Sequence, residues 1–487
     1  MVYAALKKLT KHSVIYALGP AVHKALGFAL LPFITAWIGS TANYGVLEIG
    51  SVTIAVAGQV LGINLLYGMT RFYADYETDE EKGTLVTTTL LLLVASMGTA
   101  LLCAWTFRGP ASQLVFESRE YAPALVAVFA ILFFQTIGQV GLRWLQILER
   151  SITYGVLTTT KLLVEIGLKV WLLIEGLTYM GAFYSVLGCE AVVSVGLVIV
   201  IVSKVGLTFS VPMAKRLWRY SAPLIVSGLC MFVLHQADRF FVQDLHGKGE
   251  VGLYGLAYKL GSIANAIFLE AFGLIWFPYV FSIQSEDDVR DLCRKVLTYF
   301  NLLMCGASLA LAVFSREIVS VMADAQFHDA WRAMPVVIAG YVFWALFQVV
   351  HTVFYVREKT GRISLLVAGA AVLNLGLNAV LVRPFGYLGA AWATVVTFAA
   401  LAVASWIAAE KLFPVRYEIG RVLAPIGVSV ALFTASLWVP AWPLSSVIAA
   451  KAGLVLLLPG ILAASGYLQA DEKDKIREFW ARVRIRR

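Results

Sequence analysis

Charge is the scarcest commodity in this chain. Only 14% of its 487 residues are Asp, Glu, Lys or Arg, where a soluble globular domain carries roughly 25%. Hydrophobic residues make up 60%, and mean hydropathy is +0.79. A protein core cannot absorb that much apolar surface, but a bilayer can, so a soluble fold is excluded. Cysteine is sparse too. Cys103, Cys189, Cys230, Cys293 and Cys305 are scattered and odd in number, with no Cys-x-x-Cys spacing, which argues against a disulfide framework and a zinc site. The six histidines form no metal spacing. No glycine-rich loop with a lysine is present to cradle a phosphate, so ATP hydrolysis within the chain is not expected. The connecting loops are too short to carry the catalytic carboxylates or histidines of a membrane glycosyltransferase or polysaccharide polymerase. No enzyme activity and no cofactor are therefore expected. Nucleic-acid binding would need a soluble basic surface, and the net charge of +9 is better explained by loop bias.

What is present is a series of apolar runs. A helix needs ~20 apolar residues to cross ~30 Å of hydrocarbon. Such runs cover 14–38, 45–70, 84–107, 121–147, 155–175, 179–203, 217–243, 251–281, 296–314, 334–356, 363–382, 387–408, 421–439 and 447–468. The first is too long for a signal-peptide core. The expected fold is all-α and integral to the membrane, with about fourteen spans. With the N-terminus in the cytoplasm, cytoplasmic segments hold 26 of the 39 Lys and Arg and external loops hold six. That bias predicts cytoplasmic N- and C-termini in a multi-pass inner-membrane protein.

The chain repeats itself at about 208 residues. Glu165-Ile166-Gly167-Leu168-Lys169 corresponds to Asn374-Leu375-Gly376-Leu377-Asn378. Tyr179-Met180-Gly181-Ala182 corresponds to Tyr387-Leu388-Gly389-Ala390, and Tyr44-Gly45-Val46-Leu47 sits opposite Val251-Gly252-Leu253-Tyr254. Each repeat holds six spans, an even number, so the two halves point the same way, as in transporters built from parallel repeats. The expected divisions are a cytosolic 1–13, an N-lobe 14–208, a C-lobe 209–415, a helix pair in 416–470 and a basic tail 471–487.

The segment Asn374 to Asn378, followed by Tyr387-Leu388-Gly389-Ala390-Ala391-Trp392-Ala393-Thr394, resembles the C-terminal signature of polysaccharide-biosynthesis membrane proteins. Gln236-Ala237-Asp238-Arg239 with Val251-Gly252-Leu253-Tyr254 resembles the same family. These are the Wzx-type flippases of lipid-linked oligosaccharides, in the multidrug/oligosaccharidyl-lipid/polysaccharide exporter superfamily. The resemblance implies two six-helix lobes in a V shape and alternating access. It also implies flipping of an undecaprenyl-diphosphate-linked O-antigen, exopolysaccharide or capsule unit from the inner to the outer leaflet. Membrane lipids, a polysaccharide polymerase and glycosyltransferases are the implied partners. Many O-antigen flippases have twelve helices, whereas the related peptidoglycan-precursor flippases have fourteen, with an extra pair that helps form a groove for the lipid tail. Spans 13 and 14 could serve likewise.

Ionisable side chains inside spans are costly and tend to face a cavity or a partner. Lys24 lies ten residues into the first span, ~15 Å deep, beside His23. Lys161, Glu165 and Lys169 share one helical face by their spacing of four. With Arg143, these bases are read as a positive cavity for a lipid diphosphate. The alternative is structural pairing. Glu165, Glu190, Glu270 and Asp238 are the carboxylates available for pairing or for coupling to an ion. Gly19-Pro20 could bend the first span and gate the cavity. The acidic run Asp75, Glu77, Asp79, Glu80 and Glu81 reads as a solvated turn. The tail reads as a topology anchor or a short surface helix. Two further functions stay open beside the oligosaccharide flippase and the polymerase: a peptidoglycan-precursor flippase, and a cation-coupled multidrug exporter. The latter would need membrane carboxylates.

Overall fold

The computed structural model describes residues 25–283, 285–440, 442–467, 469 and 472, with the backbone alone at 270, 271, 274, 275 and 278. The sequence-derived candidates Gly19, Pro20, His23 and Lys24, and the tail from 473, lie outside the described residues. So does the side chain of Glu270, which opens a helix.

Among the described residues the chain is helical throughout, without strands. The first part runs α1 (Leu31–Trp37), α2 (Thr41–Leu61), α3 (Leu65–Phe72), α4 (Asp79–Thr106), α5 (Arg108–Phe116), α6 (Ala122–Ile147), α7 (Ser151–Ile174) and α8 (Thr178–Val205). It continues with α9 (Val211–Gln236), α10 (Asp238–His246) and α11 (Lys248–Gly261). A π-helical turn at Asn265–Leu269 leads to α12 (Glu270–Ser282). Then follow α13 (Glu286–Val313), α14 (Ser315–Met322), α15 (Met334–Val350), α16 (Thr352–Val356), α17 (Thr360–Leu412), α18 (Ile419–Ser436) and α19 (Leu444–Ala464).

Ten of the described helices are long and apolar enough to cross a bilayer. Three further expected spans lie outside that set for local reasons. The α17 helix joins two spans across Gly386, whose backbone is not helical, just after Pro384. The α7 helix carries Lys161, Glu165 and Lys169. The eighth span is interrupted by the π turn between α11 and α12. The protein is thus a multi-pass membrane protein.

Contacts divide the chain into two compact units. One takes residues 1–256 with 320–329 and 371–390, and the other takes the remainder. In the first, a core of Leu65, Met69, Leu90, Leu93, Val140 and Trp144 joins α3, α4 and α6. The acidic run is put to use at the start of α4. Thr78 and Glu81 form a reciprocal capping box, and Asp79, Glu80 and Glu81 occupy the first turn, where carboxylates oppose the positive end of the helix dipole. In the second unit, Asn301 donates from α13 to the Val422 carbonyl of α18 at 2.9 Å. Lys451 of α19 meets Glu317 of α14 at 2.6 Å. The last helix pair is therefore tied to its own unit by polar contacts as well as by the apolar cluster of Leu309, Leu432 and Leu458.

Candidate functional site

A cavity of about 950 Å³ lies wholly within the first unit, walled by α2, α3, α6 and α9. Its polar lining follows from three local features. On α6, Gln135, Gln139 and Arg143 recur every four residues and so share one face. Opposite features of the same helix hold it against α8: a Cβ on Gly141 would fall 2.7 Å from Leu197 Cβ. The second span breaks between α2 and α3, because Gly62 adopts φ 112° and ends α2 in a left-handed turn. The break aims Gln59 and Asn64 into the cavity. There Asn64 Nδ2 donates to the Gln59 carbonyl and to Gln59 Oε1, each at 3.2 Å. Broken spans are where transporters commonly place binding groups, since freed polar atoms are tolerated in a membrane only beside a cavity. On α9, Tyr220, Ser227, His235 and Gln236 complete the polar wall.

Among the described residues the lining contains five side-chain amides and no aspartate, glutamate or lysine. Arg143 is the one permanent charge among the described lining residues. Gln146 Oε1 accepts from Arg143 Nη1 at 3.2 Å, and the guanidinium sits 5.9 Å from the centre of the Tyr67 ring. Among the described residues Arg143 enters no ion pair. It lies about one turn from the end of α6, so the charge stands toward the side of the 148–150 loop. The amides extend inward from it.

The other in-span charges are placed differently. Lys161 Nζ meets Glu190 Oε1 at 2.7 Å, tying α7 to α8. Lys169 Nζ meets Glu165 Oε1 at 3.1 Å within α7. Neither pair lines the cavity. Asp238 and Arg239 pair at 2.8 Å, both buried, with Tyr254 donating its hydroxyl to Asp238 at 2.5 Å and Arg239 donating to the His235 carbonyl at 2.7 Å. This network fastens the break between α9 and α10 just beyond the cavity residues His235 and Gln236.

At the Ser51 end of the cavity, α2 is packed by an apolar cluster of Val52, Phe232 and Ala237. Next comes a helix crossing of unusual closeness. A Cβ on Gly45 of α2 would lie 2.0 Å from the Lys248 carbonyl oxygen. One on Gly252 of α11 would lie 2.1 Å from the Thr41 carbonyl oxygen. These glycines are the repeat-related pair of the sequence alignment. Around the crossing, Glu250 accepts from the Tyr387 amide at 3.1 Å, and His246 Nε2 is 2.9 Å from the Val382 carbonyl. Thr35 Oγ1 accepts from the Asp324 amide at 3.1 Å. The first unit is thus sealed at the end where α2 begins and α9 ends.

The amide cavity was missed by a reading that followed charge. Its signal was the four-residue spacing of Gln135, Gln139 and Arg143 in an otherwise apolar span.

Comparison with known proteins agrees with this architecture. Residues 40–332 match the model of a family described as "Polysaccharide biosynthesis protein". The "Probable low-salt glycan biosynthesis flippase Agl15" of Haloferax volcanii is 24% identical over 189 residues, 38% of this chain and 40% of that protein, so the match spans less than half of that relative. The "Putative O-antigen transporter" of Shigella flexneri is 22% identical over 403 residues, 79% of this chain and 93% of that protein. Among solved structures, the lipid II flippase MurJ in an inward closed conformation superposes with a TM-score of 0.75 at 10% identity, covering 93% of this chain and 99% of that one. An inward-facing multidrug-resistance transporter of the MATE family gives 0.62 at 15% identity, covering 82% and 95%. At these identities the structural likeness speaks to fold alone. The apolar helices and the matched model, which spans more than half of the chain, together establish that this chain belongs to the polysaccharide biosynthesis protein family.

Proposed function

We propose that the protein flips an undecaprenyl-diphosphate-linked oligosaccharide from the inner to the outer leaflet of the cytoplasmic membrane by alternating access. In this reading the glycan occupies the amide-lined cavity and Arg143 holds the diphosphate. The observation that carries it is the lining itself, which among the described residues holds five amides, no carboxylate and one guanidinium outside any ion pair. Sugar hydroxyls both donate and accept, and an amide side chain answers both needs without imposing a charge. A guanidinium can grip phosphate oxygens through two parallel hydrogen bonds. The lipid tail would stay in the bilayer while the headgroup crosses. The names of the two relatives, a glycan biosynthesis flippase and an O-antigen transporter, support this cargo class over a drug. A cation-coupled exporter would be expected to put carboxylates in its cavity, and the described residues of this lining include none.

Arg143 stands toward the loop side that the charge bias predicts to be cytoplasmic, which supports loading from that side. An inside-negative potential then favours export of the anion by up to ~2.3 kcal/mol per charge per 100 mV. In cells depending on this protein for surface glycan, Arg143→Gln should cut export at least tenfold at normal protein level. Arg143→Lys should recover only part, since an ammonium keeps the charge but not the forked geometry. Wild-type export by Arg143→Gln would sink the assignment. Lys24 and His23 are proposed as further contacts to the same anion, and Lys24→Ala should then weaken export in the same assay.

A further inference from the structure

A second, smaller concavity of about 430 Å³ adjoins the opening turns of α9. It is lined by Phe72, Lys215, Arg216, Arg219 and Tyr220. Tyr220 also lines the larger cavity, so the two spaces share a wall. The placement follows from helix register. Leu217 is fully buried and turns one face of α9 into the core, which leaves Lys215 and Arg219, four residues apart, together on the outer side.

One of the three cations is already occupied. Arg216 Nη2 meets Asp75 Oδ2 at 2.5 Å, and its guanidinium stacks 4.1 Å over the Phe72 ring. Asp75 is shared with Arg71 at 3.0 Å. The hydrogen bond from Arg71, joined by that from Arg216, holds the Asp75 carboxyl below the usual carboxylate range, so it is ionised at neutral pH. A single carboxylate thus serves two arginines. Lys215 and Arg219 enter no ion pair among the described residues. An anion seated in the concavity would answer this excess of positive charge.

We propose that Lys215 and Arg219, on the aromatic floor of Phe72 and Tyr220, form a loading site for the diphosphate of a prenyl lipid. The lipid headgroup docks there before moving past Tyr220 to Arg143. The proposal rests on the flippase reading above and adds to it a separate first station. Retention of topology by positive charge needs no concavity, no aromatic floor and no shared wall with the transport cavity, so the two roles separate experimentally.

The test uses the full-length protein in phosphatidylcholine nanodiscs with farnesyl diphosphate as probe and rapid-mixing binding kinetics. Lys215→Gln/Arg219→Gln should slow association roughly tenfold at low salt, and the difference should shrink as salt rises, because steering by exposed charge is screened. Dissociation should change little. Arg143→Gln should instead speed dissociation. Cysteine accessibility of the 206–210 loop should be unchanged, and Lys215→Arg/Arg219→Lys should bind as wild type. Unchanged association in the double glutamine variant overturns the loading site while leaving the Arg143 reading intact. A silent Arg143→Gln with a slowed double variant does the reverse. If inorganic diphosphate competes on equal terms with farnesyl diphosphate, the site takes free polyphosphate and the lipid-loading role falls.

Discussion

Gly252→Ala, and equally Gly45→Ala, should abolish glycan export while leaving the protein in the membrane. The reason is geometric. The added methyl at Gly252 would lie 2.1 Å from the Thr41 carbonyl oxygen, and that at Gly45 would lie 2.0 Å from the Lys248 carbonyl oxygen. Real Cβ atoms essentially never approach closer than 3.0 Å, and here the obstacle is backbone, which has no rotamer to change. The crossing of α2 and α11 must part. If alternating access requires this end to close and reopen, overpacking of roughly 1–3 kcal/mol, occasionally more, shifts the balance of states by about tenfold to a hundredfold. A cysteine pair at Thr41 and Gly249 reports closure directly, because a Cβ on Gly249 would lie 3.4 Å from Thr41 Oγ1. Cross-linking of that pair should fall at least tenfold in the Gly252→Ala background. Gly249→Ala alone makes only ordinary contact and should transport normally. Cross-linking and export at wild-type levels in Gly252→Ala would show that the crossing does not take part in the cycle.

Those two glycines were visible in the sequence as members of a repeat, but their meeting was not. An internal alignment says which residues are equivalent. It does not say that equivalent residues touch. The spans were legible because hydropathy is a bulk property: expected runs such as 121–147 and 179–203 agree closely with Ala122–Ile147 and Thr178–Val205. The breaks were less so. Hydropathy runs unbroken through Gly62 and Ile63, and only the left-handed backbone of Gly62 marks the end of α2. The cavity escaped for a related reason. Neutral amides such as Gln59 and Asn64 carry no charge, so a search for stranded ions passes over them, while a lysine is conspicuous wherever it points. Arg143 was found among the in-span charges, but nothing in a single sequence distinguishes a guanidinium outside any ion pair from one that has a partner a helix away.

Lys161 and Glu190 illustrate that last point and supply a test of large effect. Their partnership bridges α7 and α8 at 2.7 Å, with side-chain exposures of 17% and 8%. The separation in sequence is 29 residues, so no helical spacing rule could reveal it. A buried pair is weak evidence for stability in itself, since desolvation offsets the attraction, but removing one partner strands the other. Glu190→Gln should therefore destabilise the protein by roughly 3–5 kcal/mol, and Lys161→Met should do the same. The double variant Lys161→Met/Glu190→Leu should regain most of that loss, because two apolar side chains need neither water nor each other's charge. Thermal unfolding of the purified protein in detergent, scored with the amount in the membrane, separates the three. Export measured on the double variant then decides between the two roles open to this pair. A double variant that folds and exports shows a helix–helix tie. One that folds normally yet fails to export shows that the charges themselves act in transport, and Lys161 would join Arg143 as a functional cation despite standing outside the cavity lining.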